Sequence, residues 1–223
     1  MNKVPLARRI QAINALVEGD SIRSTERMTG THRDTIMRLL VEVGAGCERL
    51  LDERMRGLSC QRTDTKLIPC YRIGKRNLPT ASAFLMDLSD RLVNRVQLSS
   101  DALAAYVEAT EQAFGADVDY GQIVKAYEAE PIGPGRYSPP HVVSADRMPV
   151  AGAPELAHIS TSFVERQNLT MRMSMRRFTR LTNAFSKKIE NLRAAVAMYF
   201  AWFTRRFASC QRWRPGWTHA CGQ

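Results

Sequence analysis

The sequence predicts a mixed α/β chain: a small helical unit, then an alternating strand–helix core, then a long C-terminal helical segment. Three observations predict it. Apolar residues recur at helical spacing through residues 5–43 and are interrupted by a turn at Gly30. Short apolar runs alternate with helical patterns between residues 66 and 114. Finally, Phe185, Ile189, Leu192, Val196, Tyr199 and Phe203 recur at intervals of three and four, a buried stripe.

The N-terminal unit reads as three helices. Leu6, Ile10, Ile13, Leu16 and Val17 give the first its apolar side, and Gly19 ends it. Asp20 or Ser21 can cap a short second helix running to about Met28. Gly30 permits a tight turn, and Thr31 is the expected cap of a third helix that buries Ile36, Leu39, Leu40 and Val43. His32, Arg33, Thr35 and Arg38 then fall on its outer, N-terminal part. Helix, short helix, glycine turn, helix is the helix-turn-helix pattern, whose last helix reads the major groove. A plain three-helix packing unit is the alternative.

Residues 44–62 are expected to be helical and charged, with Gly44 and Gly46 as a hinge. Residues 66–73 read as a strand in which Pro69 marks an edge or bulge. Thr80–Asn94 reads as a helix with Ala83, Phe84, Leu88, Leu92 and Val93 on its apolar side. Val96–Ser100 is a short strand and residues 102–114 are again helical, so parallel strands are expected. Pro131 to Ala157 holds six of the ten prolines and reads as an irregular loop. A long helical stretch follows from Thr161 to Phe203.

The charge is unevenly distributed. The chain has 32 Lys/Arg and 22 Asp/Glu, a net +10, and the segment from Ser160 to Gln223 holds 12 of the former and 2 of the latter. The whole excess lies there, the electrostatic footprint of a polyanion such as nucleic acid. A solubilising helix face is the alternative. Cys47, Cys60, Cys70, Cys210 and Cys221 are odd in number and lack metal-site spacing, so a reduced cytoplasm is expected. No run of eighteen apolar residues suggests a membrane span, and no apolar core behind Arg9 suggests secretion.

Two carboxylates stand where chemistry is expected. Asp101 lies just past the strand Val96–Ser100, and functional groups gather at the carboxyl ends of strands in open α/β sheets. Glu165 opens the basic helix, with Asn168 and Arg172 on the same face. Such acids can jointly ligate Mg²⁺ for in-line phosphoryl displacement. A carboxylate at a helix start is more often only a dipole partner.

The stretch His158 to Met173, centred on Glu165-Arg166-Gln167-Asn168 and continuing through Arg176-Arg177-Phe178 to Lys188, resembles the final carboxylate motif of insertion-sequence DDE transposases. The closest group is the insertion-sequence-one type, with its glutamate-arginine-x-asparagine signature. Asn94 to Asp101, followed by Tyr106, resembles the second carboxylate motif, with Ala102 where the family has glycine. Leu16 to Gly30 and Leu39 to Gly44 resemble the family's helix-turn-helix. The resemblance implies an RNase H-like fold, Mg²⁺, and double-stranded DNA with terminal inverted repeats as partner. It implies Asp101 and Glu165 as catalytic and metal-binding residues. It also implies DNA contacts from Arg166, Asn168, Arg172, Arg176 and Arg177, beside His32, Arg33, Thr35 and Arg38.

The pattern breaks in two places. The family's first carboxylate strand follows a motif like Leu58-Ser59-Cys60-Gln61-Arg62, but here Arg62 runs directly into Thr63-Asp64-Thr65. That strand and most of the family's second strand read as deleted, and Asp64 is only a weak stand-in, because the family's equivalent aspartate lies beyond the metal position. After Phe203 the periodicity stops, and Arg, Trp, Pro, Gly and Cys crowd the tail as in an out-of-frame reading. An aromatic-basic tail that stacks on nucleic acid is the rival account.

The expected organisation is a helix-turn-helix at 1–46, a linker and deletion junction at 47–65, a truncated RNase H-like domain at 66–203, and a basic tail at 204–223. The expected function is a DNA transposition protein, catalytically impaired, that binds element ends, with homo-oligomerisation left open. Alternatives are a non-catalytic DNA-binding repressor and an intact transferase using Asp64, Asp101 and Glu165.

Overall fold

The structure is a computed structural model that describes residues 4–59, 67–128, 141–179 and 186–208. Among these residues the fold is mixed α/β, with seven α-helices and one three-stranded sheet. They form two compact units: Met1–Arg56 with Glu165–Gln223, and Gly57–Val164.

The first unit begins with α1 (Leu6–Val17), α2 (Ile22–Thr29) and α3 (Arg33–Arg54). The Ser21 hydroxyl accepts the Ser24 amide at 3.1 Å and caps α2. Gly30 takes the left-handed conformation at φ 63° and its amide closes on Glu26 O at 2.9 Å, which ends α2. The start of α3 differs from expectation. His32, not Thr31, is the cap, its Nδ1 accepting the Asp34 amide at 3.3 Å, while Glu26 Oε1 accepts the Arg33 amide at 2.9 Å. Thr31 is instead buried, its amide donating to Thr29 Oγ1 at 3.3 Å. A carboxylate reaching over from the preceding helix satisfies an orphan amide that no local pattern could assign.

Ile36, Leu39 and Leu40 are buried as expected, whereas Val43 is half-buried. Leu6 and Ile10 of α1 are exposed, and Ala12 is that helix's buried residue. No hinge exists at Gly44 and Gly46: α3 runs unbroken through both and ends at Arg54, short of residue 62. The expected boundary at residue 46 therefore falls inside a helix. Gly44 serves packing instead. A Cβ there would lie 2.4 Å from the Cα and Cβ of Ala194 on α7 (Ile189–Ala208). At this crossing only glycine fits.

The long helix expected from Thr161 to Phe203 is divided. α6 (Ser162–Ser174) stops at Met175, which is extended (φ −116°, ψ 106°) and buried, and a 3-10 turn at Arg176–Phe178 follows. Burial of Met175 overrides the local helical preference, and no proline or glycine marks the break. In α7 every residue from Ala194 to Phe200 is buried, so its middle is enclosed all round rather than along a stripe. Ile189 is exposed, and Phe185 lies outside the described residues. Tyr199 stacks on Phe203 at 5.9 Å and meets Phe200 edge-on at 5.5 Å.

The second unit carries α4 (Leu78–Ser89), β1 (Val96–Asp101), α5 (Ala104–Phe114), β2 (Val118–Glu128) and β3 (His141–Ala151). Residues 67–73 are irregular rather than a strand. Pro69 offers no amide to a ladder, and Cys70 turns inward with its thiol 4.0 Å from Phe84 O. α4 starts and ends earlier than expected, and Val93, placed on its apolar side, is exposed beyond it. α4 and α5 pack through Ala81, Leu85 and Ala109, with Phe84, Leu88, Leu98 and Tyr106 around them.

β1 and β2 are parallel, Val96 facing Val118 and Asp101 facing Ile123, joined through α5 as a β–α–β unit. The parallel pair expected is thus present, and β3, antiparallel to β2, adds a strand over His141–Ala151 where an irregular loop was expected across Pro131–Ala157. Pro149 misleads at sequence level, because β3 is the third strand in the order β1-β2-β3 and an edge tolerates it. Residues 131–140 lie outside the described residues.

One ion pair ties the strand ends together. Arg95, before β1, donates to both carboxylate oxygens of Asp119 on β2, at 3.0 and 2.8 Å, and to Val118 O. Asp119 also accepts the Ala153 amide at 2.9 Å, just past β3. The Arg95 hydrogen bond, then that amide, hold the Asp119 carboxyl down at about 2, against an ordinary 3.8.

Two outcomes follow for urea unfolding monitored by circular dichroism. Gly44→Ala costs about 1–3 kcal/mol through overpacking. Gly46→Ala, with nothing within 4 Å of its Cβ position, gains about 0.5–1 kcal/mol from helix propensity. Equal effects at the two positions would refute the close α3–α7 crossing. Because the folded Asp119 has the lower pKa, its contribution is complete above the unfolded value and is lost as pH falls from about 4 to about 2. The unfolding midpoint should drop across that window, and Asp119→Asn should lower it at pH 7 while flattening the acid drop.

Candidate nucleic-acid interface and carboxylate sites

With Ile36, Leu39 and Leu40 turned inward, the opposite side of α3 faces solvent. His32, Arg33 and Arg38 are exposed there, and Thr35 is half-buried with its hydroxyl accepting from Arg38 Nη2 at 3.4 Å. Of the nearby acids, Glu42 pairs with Arg9 at 3.3 Å, and the Asp34 carboxylate lies 3.5 Å from His32 Nδ1, the nitrogen that accepts the Asp34 amide. Arg33 and Arg38 form no ion pair among the described residues. Two outward guanidiniums in the first turn and a half of α3 suit phosphate or base-edge contacts.

The same compact unit contains α6 from Glu165 onward. Arg166, Asn168 and Arg172 are exposed on it and Arg176 is exposed in the 3-10 turn beyond, whereas α6 buries no residue. Arg177 differs. It is half-buried, donates to Ser186 Oγ, and its pKa is lowered by desolvation. Glu165 lies exposed in the first turn of α6. Divided by unit, the charge separates further. The unit with α1–α3, α6 and α7 holds 22 Lys/Arg against 10 Asp/Glu, and the sheet unit holds 10 against 12.

Asp101 sits at the carboxyl end of β1 as expected and is exposed. Its carboxylate is ion-paired with Arg76, which precedes α4. Beside it, Ser100 Oγ lies 2.7 Å from Tyr120 OH, and Gln122 Nε2 donates to Tyr120 OH at 2.9 Å and to Asp101 O at 3.2 Å. The Tyr106 hydroxyl is raised above its ordinary pKa by burial and then by the Asp101 charge, with Arg76 opposing. Arg76, Tyr120 and Gln122 are absent from the sequence-based site. Tyr120 and Gln122 become visible only once β2 is recognised beside β1, and Arg76 has no motif signal.

Asp101 belongs to the unit Gly57–Val164 and Glu165 to the other unit, while Asp64 lies outside the described residues. Among the described residues no group of three or more His, Cys, Asp or Glu side chains gathers as a metal site. The donor set at Asp101 does not fit Mg²⁺. That ion needs several oxygen ligands in near-octahedral array, and here a guanidinium occupies the one carboxylate while the Gln122 amide presents N–H donors. No helix among the described residues is long and apolar enough to cross a membrane. Compared with known proteins, the chain matches no family model, no curated protein and no solved structure.

The described thiols are unactivated. Burial, then the Asp87 charge, push the Cys70 thiol up to about 12, and burial raises Cys47. At pH 8 iodoacetamide should therefore modify Cys70 in the folded protein at least tenfold more slowly than in urea, as peptide mass mapping would measure. Equal rates would contradict its inward placement.

Proposed function

We propose that the chain is a DNA-binding protein of the insertion-sequence transposase type, with a helix-turn-helix in its N-terminal part and a phosphoryl-transfer site that is impaired. The observation that carries this reading is the outer side of α3. Its first turns follow the Gly30 turn and present His32, Arg33 and Arg38 to solvent, in the unit that holds the net positive charge. In this reading α3 lies in the major groove, and Arg166, Asn168, Arg172 and Arg176 meet phosphates.

The unit with β1, α5 and β2 is read as the remaining part of an RNase H-like domain, with Asp101 at the strand end that carries the second carboxylate. Mg²⁺, where bound in such proteins, supplies Lewis-acid activation of the phosphoryl group. The pairing of Asp101 with Arg76 favours the impaired form, and with it a repressor that occupies element ends without cutting them.

Gel-shift titration against terminal-repeat DNA tests the reading. Arg33→Ala and Arg38→Ala should each weaken binding about five- to 150-fold, equivalent to about 1–3 kcal/mol. Arg172→Ala should instead lower affinity on all sequences and reduce the salt slope by about 1. Binding indifferent to Arg33 and Arg38 sinks the helix-turn-helix assignment. Mg²⁺-dependent nicking abolished by Asp101→Ala and Glu165→Ala sinks the impaired site.

A further inference from the structure

We propose that Arg76 is a built-in counter-ion that keeps divalent cations off Asp101, so that this strand end holds an intramolecular ion pair in place of a metal. The inference deepens the reading of Asp101 as a surviving catalytic carboxylate and rests on it.

The placement of Arg76 is structural rather than incidental. Its neighbour Asn77 is the N-cap of α4, accepting the Thr80 amide at 3.3 Å and the Thr80 hydroxyl at 2.8 Å. The Asn77 amide also donates to Lys75 O at 3.0 Å, which folds residues 75–77 tightly onto the helix start. α4 is in turn locked to α5, the helix that leaves Asp101, through Ala81, Leu85 and Ala109. The cap and the helix pair together deliver the guanidinium to the end of β1.

The surrounding groups reinforce the exclusion. Ser100 Oγ and Tyr120 OH are engaged with each other, and the Gln122 amide donates into the cluster. A cation approaching Asp101 must displace a charge-assisted hydrogen bond and sit beside a positive guanidinium. Both Arg76 and Asp101 are more than half exposed, so the pair alone is weak in absolute terms. A lone carboxylate holds Mg²⁺ weakly as well, because the ion gives up its water reluctantly. A modest ion pair is then enough to decide the competition.

Mn²⁺ serves as the probe, titrated into the full chain while electron paramagnetic resonance reads the free ion. Wild type and Asp101→Asn should bind alike. Arg76→Gln should gain one site at least fivefold tighter, and Arg76→Gln with Asp101→Asn should lose it. Arg76→Lys, which keeps the charge, should behave as wild type. Asn77→Ala, which loosens the cap, should gain part of the effect and serves if Arg76→Gln does not fold. A wild-type Mn²⁺ site lost in Asp101→Asn would overturn the proposal, and so would an Arg76→Gln protein with no gain. Terminal-repeat DNA binding by the same samples separates the two ideas. If the Mn²⁺ pattern holds without DNA binding, the transposase reading falls and the counter-ion stands; the reverse result leaves DNA binding and removes the counter-ion.

Discussion

Gly44 of α3 and Ala194 of α7 approach so closely that no side chain fits at position 44. Interiors pack at crystal-like density, and helices that cross this closely fix each other's position to within a fraction of a side chain. The contact joins the N-terminal three-helix segment to a helix near the other end of the chain. α3 therefore has two tasks. Its first turns face solvent with arginines, and its middle is the seat for α7, whose residues Ala194 to Phe200 are all buried. The outward side of α3 is held rigid by what lies behind it.

That arrangement also concentrates charge. The unit built on this core carries the surplus of lysine and arginine, and the sheet unit carries a slight acidic excess. Within the basic unit the arginines are not equivalent. Arg33, Arg38, Arg166 and Arg172 are exposed, whereas Arg177 is half-buried against Ser186.

Much of this was legible in the residues. A cap at Asp20 or Ser21, Gly30 as turn, Ile36, Leu39 and Leu40 as core, and Asp101 at a strand end all follow from local chemistry, and the structure has them there, with Ser21 as the cap. The misses share a cause: they depend on a partner distant in sequence. Gly44 reads as a hinge until Ala194 is opposite it, and β2 and β3 are strands because they pair with each other. The break after Ser174 comes from burying Met175, and the cap at α3 is shared with Glu26 on another helix. Arg76 is the same kind of miss, an ordinary loop residue until the α4 cap places it on Asp101.

β3 has a bearing on solubility. Among the described residues it is an edge strand, and it exposes Val142, Val143, Met148 and Val150, apolar residues on both of its faces, which is a template for another chain to add to. Pro149 removes one of its backbone donors, and the pairing shifts register beside it, between Tyr120 and Gly121 on β2. Asp146 and Arg147 add charge of both signs along the same strand. The proline that disguises this strand in the sequence is thus also a break in its row of backbone donors, a device by which edge strands discourage intermolecular sheets.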